Sequence, residues 1–367
     1  MIVCIRADAS LRIGSGHVMR CLTLAEELSE LGAKATFLSR ELPGNYCELI
    51  ERKGFPCVRL PVIVDPGDTI VNDPSSSAWL GCTPEADGEQ SADAIDLLGA
   101  PVDWLIVDHY SLDSAWERQL RARSRRIMVI DDLANRRHDC DLLLDQNYYR
   151  QSERRYDGLV PAHCRTLLGP KYALLRREFR SAMRIAIARS GEVRRILVFL
   201  GGSDADNVTT RVLEAFVLTG IRDIALDVVV GASNVHGSEI EALCRMLGNA
   251  SFHVQVDNMA TLMARADLAI GAGGATTWER CALGLPTLTV VVADNQLETT
   301  KDIAELGVIW YLGRSSDLRV QDFARAIRTA LDDPRKLRNI SIAALGLMAA
   351  PAGDDSSPVV EALFEEA

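Results

Sequence analysis

No apolar run in the 367-residue sequence approaches the roughly 18 residues that a membrane-spanning helix requires. The N-terminus, Met1-Ile2-Val3-Cys4-Ile5-Arg6-Ala7-Asp8, is too short and too soon charged to be a signal peptide. No two of the nine cysteines have CxxC spacing, and their number is odd. A disulfide framework and a structural zinc site are therefore not expected. Scattered free thiols fit a reducing compartment, and the expected location is the cytoplasm. Positive charge is in short supply, with 40 Lys+Arg against 51 Asp+Glu and a net charge of −11. Such a chain lacks the electrostatic footprint of a general nucleic-acid binder, though a local basic pocket for one phosphate ligand remains open. No GK[ST] follows a glycine-rich loop, which removes a Walker A site.

What is present is the balance of a soluble globular protein: 48% hydrophobic and 25% charged residues. At about 150 residues per domain the length suggests two domains, each able to bury its own core. Short apolar runs alternate with amphipathic helical stretches. Strands are expected at 2–5, 35–38, 104–107, 126–130 and 142–144, then at 196–200, 226–230, 252–256, 268–270 and 288–292. Their apolar residues are continuous rather than alternating, which suits parallel sheets covered on both faces. Between Pro61 and Pro101 the pattern dissolves into Pro, Gly, Ser and acids, and reads as a long surface loop with a short helix near 92–98. Tyr172–Arg189 reads as the connector. The expected fold class is α/β: two doubly wound, Rossmann-like domains facing across a cleft. Their bounds are 1–175 and 190–350, with a C-terminal tail at 351–367.

Four motifs carry candidate chemistry. Gly14-Ser15-Gly16-His17 follows the first strand and opens a helix. Glycines there let backbone N–H groups approach a ligand, and the positive helix end favours an anion. That same end disfavours a second positive charge, so His17 reads either as a neutral base or as a packing residue. A dinucleotide fingerprint would need glycine where Met19 stands, and Ser39-Arg40 hints at most at NADP. Gly201-Gly202-Ser203-Asp204 is a tight turn whose Ser203 either touches a phosphate or, the favoured reading, caps a helix. The most specific run is Gly271-Ala272-Gly273-Gly274-Ala275-Thr276-Thr277-Trp278-Glu279. It reads as an anion-binding nest, with Glu279 placed either for the two hydroxyls of a ribose or as a helix-initiating acid. Asp294-Asn295-Gln296, Asp108-His109-Tyr110 and Asp131-Asp132 stand at further strand ends and suit sugar hydroxyls. The aspartates hint at a metal, but nothing fixes their mutual spacing, and no metal is expected.

These residues resemble a known family. The run Arg6-Ala7-Asp8-Ala9-Ser10 through Gly14-Ser15-Gly16-His17-Val18-Met19-Arg20 is similar to the start of PseG, the UDP-2,4-diacetamido-2,4,6-trideoxy-β-L-altropyranose hydrolases of pseudaminic acid biosynthesis. Asp108-His109-Tyr110, Ile130 to Arg136, Asp145-Gln146-Asn147, Gly169 to Arg176, Leu200 to Asp204, Asn258-Met259-Ala260, Gly271 to Glu279 and Asp294-Asn295-Gln296 extend the likeness to about residue 312. The family is similar in turn to the MurG-type glycosyltransferases, with the GT-B architecture. The resemblance implies a metal-independent nucleotide-sugar hydrolase without cofactor. Its expected partner is the UDP-sugar, with no nucleic acid, no membrane and a monomeric chain. It implies that Val256 meets uracil through its backbone and that Glu279 holds the ribose. Gly273, Gly274, Ala275 and Thr276 would hold the diphosphate, Tyr110 and Asn295 would line the sugar, and His17 would be the base, with Gly14, Gly16, Ser203 and Gln296 beside the substrate. One departure is Asp354-Asp355-Ser356-Ser357-Pro358, where the family has a Gly-rich, Arg-containing helix start.

The implied reaction is attack of water on the anomeric carbon with inversion and departure of UDP, through an oxocarbenium-like transition state. Three other classes compete. An inverting transferase acting on a lipid acceptor would want an apolar, basic patch where 61–101 is acidic and polar. A nucleotide-sugar sensor would not need His17, Tyr110 and Asn295 together. An NADP oxidoreductase would want the missing third glycine.

Overall fold

The computed structural model describes residues 1–63, 77–99, 101–232, 234–349 and 357–366, and every element below belongs to those residues. The chain divides into two compact units, 1–147 with 151–174 and 352–367, and 148–150 with 175–351. The expected pair of parallel α/β domains is found.

The first unit holds a sheet of β1 (Ile2–Ala7), β2 (Lys34–Arg40), β3 (Cys57–Leu60), β4 (Val102–Asp108), β5 (Ser124–Ile130), β6 (Leu142–Asp145) and β7 (Arg165–Leu168). Their spatial order is β3-β2-β1-β4-β5-β6-β7, and all the pairings are parallel. Alternate residues of one strand enter different cores. Val3, Ile5 and Ala7 pack with Leu24, Leu28, Phe37 and Ile106 on one face, while Cys4 packs with Leu38, Leu105 and Trp116 on the other. Both faces are covered, which is why the strands read as unbroken apolar runs.

The second unit holds β8 (Arg195–Phe199), β9 (Ala225–Val230), β10 (Ala250–Val254), β11 (Leu268–Ala272), β12 (Thr287–Val291) and β13 (Trp310–Arg314), in the order β10-β9-β8-β11-β12-β13. Strand order reverses between β1 and β4 in the first sheet and between β8 and β11 in the second. At such a switch point adjacent loops leave in opposite directions and open a crevice beyond the carboxyl ends of the strands.

Three expectations need correction. The stretch from Pro61 to Pro101 is not simply a loop, for it carries helices Ser77–Leu80 and Pro84–Asp96, while residues 64–76 lie outside the described set. The longer helix starts with a Thr83 side-chain cap and Pro84, and it exists to deliver Asp87. That carboxylate accepts from Arg6 Nη2 and Arg40 Nη2, both at 2.6 Å, and from Trp116 Nε1 at 2.9 Å. Second, residues 357–366 are not a free tail. Ser357 caps helix Pro358–Glu365, whose Val359, Val360, Ala362 and Leu363 enter the first unit's core. Trp104 Nε1 donates to Leu363 O at 3.1 Å. The departure noted at Asp354-Asp355-Ser356 lies outside the described residues. Third, Arg40 is fully buried on Asp87 and on the carbonyl of Pro61, so its guanidinium cannot meet a ribose phosphate. The hint of NADP falls with it. Among the described residues no helix is long and apolar enough to cross a membrane.

Candidate functional site

In the first unit the loop after β1 folds back on itself. Ser10 and Gly14 exchange backbone hydrogen bonds, and Ser10 Oγ accepts from the N–H groups of Arg12 and Ile13. Gly14 has φ +77°, a conformation that favours glycine. Gly16 then begins the helix Gly16–Glu30 and puts His17 in its first turn, 6% exposed.

His17 does not stand alone there. Its Nδ1 lies 2.5 Å from Asp108 Oδ1, at the end of β4, the strand across the switch point. Arg20, one turn along the helix, grips the same carboxylate with Nε on Oδ2 and Nη2 on Oδ1, both at 2.6 Å. Its Nη1 reaches Asp132 Oδ2 at 3.1 Å, at the end of β5. Asp132 Oδ1 accepts the hydroxyl of Tyr110 at 2.7 Å, and the Tyr110 ring stands edge-on to the imidazole, with centroids 4.5 Å apart. Asp108 is fully buried, which opposes its charge, but Arg20 and then His17 outweigh burial and hold it ionised. Burial, and then Asp132, push the Tyr110 phenol well up, so it stays protonated. An ionised Asp108 accepts the proton on Nδ1 and so presents Nε2 as the lone-pair nitrogen. This is the arrangement of an oriented general base.

Around this group the other polar strand ends are structural. His109 Nδ1 accepts from Ser111 N at 3.0 Å, and burial lowers its pKa to about 4. Asp131 is tied to Arg136 at 2.7 Å and Asp108 and Asp132 to Arg20, so each aspartate that hinted at a metal carries an arginine instead. Tyr156 is within 3.0 Å of both Asp131 Oδ2 and Asp145 Oδ2. Its single hydroxyl proton cannot serve both. Burial, and then the charge of Asp132, push Asp145 up to about 7 against the pull of Arg155 Nε, 3.3 Å from its Oδ2, so its protonated form can supply the second proton.

In the second unit Ser203 and the glycine-rich loop follow the two strands of the other switch point, Asn295 and Gln296 follow the adjacent β12, and Val256 follows the edge strand β10. β11 ends in the loop that carries Gly273, Gly274 and Ala275, followed by helix Thr276–Ala282. Gly273 N donates to Val290 O at 3.0 Å, and Thr277 N to Gly274 O at 2.9 Å. The surroundings constrain the first of these glycines and leave ordinary contact room at the second. A Cβ on Gly273 would strike Thr300 Oγ1, and one on Gly274 would sit 3.5 Å from Gln296 Nε2. Gln296 therefore borders the nest. Its Oε1 accepts from Val292 N at 3.1 Å. Asn295 is half-buried in the same short turn, whose Asp294 pairs with Arg314. Glu279 is buried, and Arg176 takes it with Nε at 2.8 Å and Nη2 at 3.2 Å. Its remaining lone pairs are what a ribose could use. Beneath the loop, Arg280 donates to Ala272 O at 2.6 Å and to the hydroxyls of Thr276 and Thr277 at 3.0 Å.

Val256 lies half-buried in the loop after β10, next to Gln255 with φ +48°. Ser203 is half-buried in the turn after β8, but the helix cap there is Asp204. That carboxylate accepts from Val208 N at 3.0 Å and Thr209 N at 2.8 Å, which leaves the Ser203 hydroxyl without the capping role first expected. The sequence singled out His17 and the glycine-rich loop but did not show the contact of Asp108 with His17, the grip of Arg20 on Asp108, or the place of Arg280 beneath the loop. The signal for Asp108 was its place at the end of the strand next to β1.

Comparison with known proteins adds the following. Residues 195–350 match the glycosyltransferase family 28 C-terminal domain. The chain is 25% identical over 309 residues to the UDP-2,4-diacetamido-2,4,6-trideoxy-β-L-altropyranose hydrolase of Campylobacter jejuni, covering 84% of this chain and 97% of that protein. It is 26% identical over 306 residues to an uncharacterized protein of Methanocaldococcus jannaschii, covering 81% of this chain and only 57% of that longer relative. The crystal structure of Acinetobacter baumannii MurG superposes with a TM-score of 0.63 at 16% identity, over 99% of each chain, and shows the fold to be GT-B.

Proposed function

We propose that this GT-B protein hydrolyses a UDP-sugar, cleaving the anomeric C–O bond of UDP-2,4-diacetamido-2,4,6-trideoxy-β-L-altropyranose to give UDP and the free 6-deoxy diacetamido sugar. The observation that carries the reading is the pair of His17 and Asp108 at the first switch point, 2.5 Å apart. Asp108 fixes the tautomer and offsets the charge that the imidazole gains. Nε2 takes a proton from water as the oxygen attacks C1 opposite to the departing UDP, so one displacement inverts the anomeric centre. The electron pair of the broken C–O bond leaves on the β-phosphate, and the water proton stays on His17 until it is lost to solvent. UDP is a good leaving group and needs no strong acid. The second domain supplies backbone donors of the Gly273–Thr276 loop to the diphosphate and Glu279 to the ribose. Tyr110 and Asn295 are the sugar contacts that the likeness to the Campylobacter hydrolase suggests.

An inverting UDP-sugar glycosyltransferase is the second reading, favoured by the family 28 match. It would present an acceptor hydroxyl in place of water. A proton NMR time course separates the two, run with EDTA on the diacetamido substrate and on UDP-GlcNAc. Release of UDP and an inverted free sugar from the first alone supports the hydrolase and its independence of metal. Both compounds staying intact until an acceptor is added refutes it.

A further inference from the structure

We propose that Arg280 is the internal counter-charge of the diphosphate subsite, a buried guanidinium that makes the Gly271–Thr277 loop prefer a diphosphate over a neutral nucleoside. The proposal deepens the reading of that loop as the UDP site and rests on it.

The first unit buries Arg6, Arg20 and Arg40, and each is paired with aspartate: Arg6 with Asp8 and Asp87, Arg20 with Asp108 and Asp132, Arg40 with Asp87. That is how proteins keep a cation out of water. Arg280 is only 2% exposed, yet its acceptors are one carbonyl and two hydroxyls, all neutral. Its Nε is buried with no hydrogen-bond partner among the described residues. The neighbouring acid, Glu279, is taken bidentately by Arg176. Burial accordingly drives the Arg280 pKa down to about 10.

A charge held this way is costly, and a methionine or leucine would fill the space without that cost. The place of the charge shows what can offset it. Arg280 lies against the back of the loop. A Cβ on Gly271 would come within 2.7 Å of its Nη1, so residue 271 has to be glycine for the backbone to rest on the guanidinium. The fully buried Thr300 hydroxyl has no partner among the described residues and abuts Gly273. The loop therefore rests on a guanidinium that no carboxylate hydrogen-bonds and touches a spare donor. In this low-dielectric setting an anion received by the loop feels the guanidinium strongly, and an uncharged uridine does not.

The test compares wild type with Arg280→Met and Arg280→Lys by calorimetry, using uridine, UDP and inorganic pyrophosphate as probes. In Arg280→Met, affinity for UDP and pyrophosphate should fall on the order of tenfold or more, while uridine binds as before. The ratio of UDP to uridine affinity decides, because loss of the Arg280 donors to Ala272 O, Thr276 and Thr277 lowers melting under either reading. A purely structural role predicts lower melting with an unchanged ratio of UDP to uridine affinity. Should the methionine variant not fold, Arg280→Lys decides. A buried ammonium loses its proton at lower pH than arginine, so its pyrophosphate affinity relative to wild type should drop between roughly pH 6 and pH 9. A flat ratio overturns the proposal. Wild type that binds UDP and pyrophosphate beside an unaffected methionine variant removes the role of Arg280 alone. Wild type that binds neither probe removes the reading of the loop as well.

Discussion

Removing the imidazole and removing the carboxylate that holds it should cost nearly the same turnover, and removing both should cost little more than either. A general base contributes about 10²–10⁴-fold, or roughly 2.7–5.5 kcal/mol at 1.36 per decade, and His17→Ala should lose that much kcat. Asp108→Asn keeps the shape and changes one atom. Both oxygens of Asp108 are already bound by Arg20, Nε to Oδ2 and Nη2 to Oδ1, each at 2.6 Å. Whichever way the amide turns, its NH₂ meets an arginine donor. With that group on the His17 side, it donates to Nδ1 and forces the proton onto Nε2, which turns the base into a donor. With it on the other side, the charge that stabilises the imidazolium is still gone. The variant should therefore approach the loss of His17→Ala, and the two losses should be strongly non-additive because the residues act as a unit. Leaving Arg20 short of a partner should also lower stability by about 3–5 kcal/mol, so rates are compared well below each melting temperature. The assay is UDP release at saturating substrate, with UDP affinity as the control for folding and binding. Retention of wild-type kcat by His17→Ala would falsify the base assignment. Additive losses would break the link between the two residues.

Other perturbations test other parts of the structure. Gly273→Ala drives a Cβ into Thr300 and should cost about 1–3 kcal/mol of stability and weaken UDP binding, read by melting and calorimetry. Gly16→Ala has open space around it and should melt like wild type. The Asp145 carboxyl, pushed up to about 7, holds a proton in the folded state that the unfolded chain releases near pH 4. The stability it contributes is full below about pH 4 and is lost as pH rises through 7, so Asp145→Asn should gain on wild type between pH 5 and pH 8. An advantage that does not change with pH would contradict this. Ending the chain before Ser357 removes buried Val359, Val360 and Leu363, at roughly 1.5–3 kcal/mol each. That loss rivals the whole stability of a domain, so the shortened chain should show no cooperative melting of its first unit. Wild-type melting would show the helix to be dispensable.

Most strands legible in the sequence were those covered on both faces. Of the four edge strands, β3, β7 and β13 escaped notice because they carry exposed polar or half-buried residues, such as Arg59, Arg165 and Trp310, and lose the continuous apolar signal, while β10 was expected two residues late, at 252–256 against Ala250–Val254. Asp87 was hidden in a stretch whose composition reads as loop. Its helix is held by two arginines from distant strands, and local sequence does not report that contact. Glycine spacing announced His17 and the second nest, since a close backbone approach leaves its mark in composition. The partnership of His17 with Asp108 depends on which strands lie side by side, Ala7 opposite Asp108, and 91 residues separate the pair. Arg280 drew no notice in the sequence, because its neutral hydrogen-bond partners, Ala272 O, Thr276 and Thr277, are visible only from side-chain coordinates.

The return of helix Pro358–Glu365 to the first core sets an order on biosynthesis. Residues 175–351 are contiguous apart from three residues contributed from 148–150, and can fold once they have left the ribosome. The first unit, although most of it is translated earlier, lacks part of its core until Leu363 has emerged. At about 5–20 residues per second the nascent chain waits roughly ten seconds or more, after residue 174, with that apolar face uncovered. The segment translated earlier of the two is therefore the one whose core is completed last.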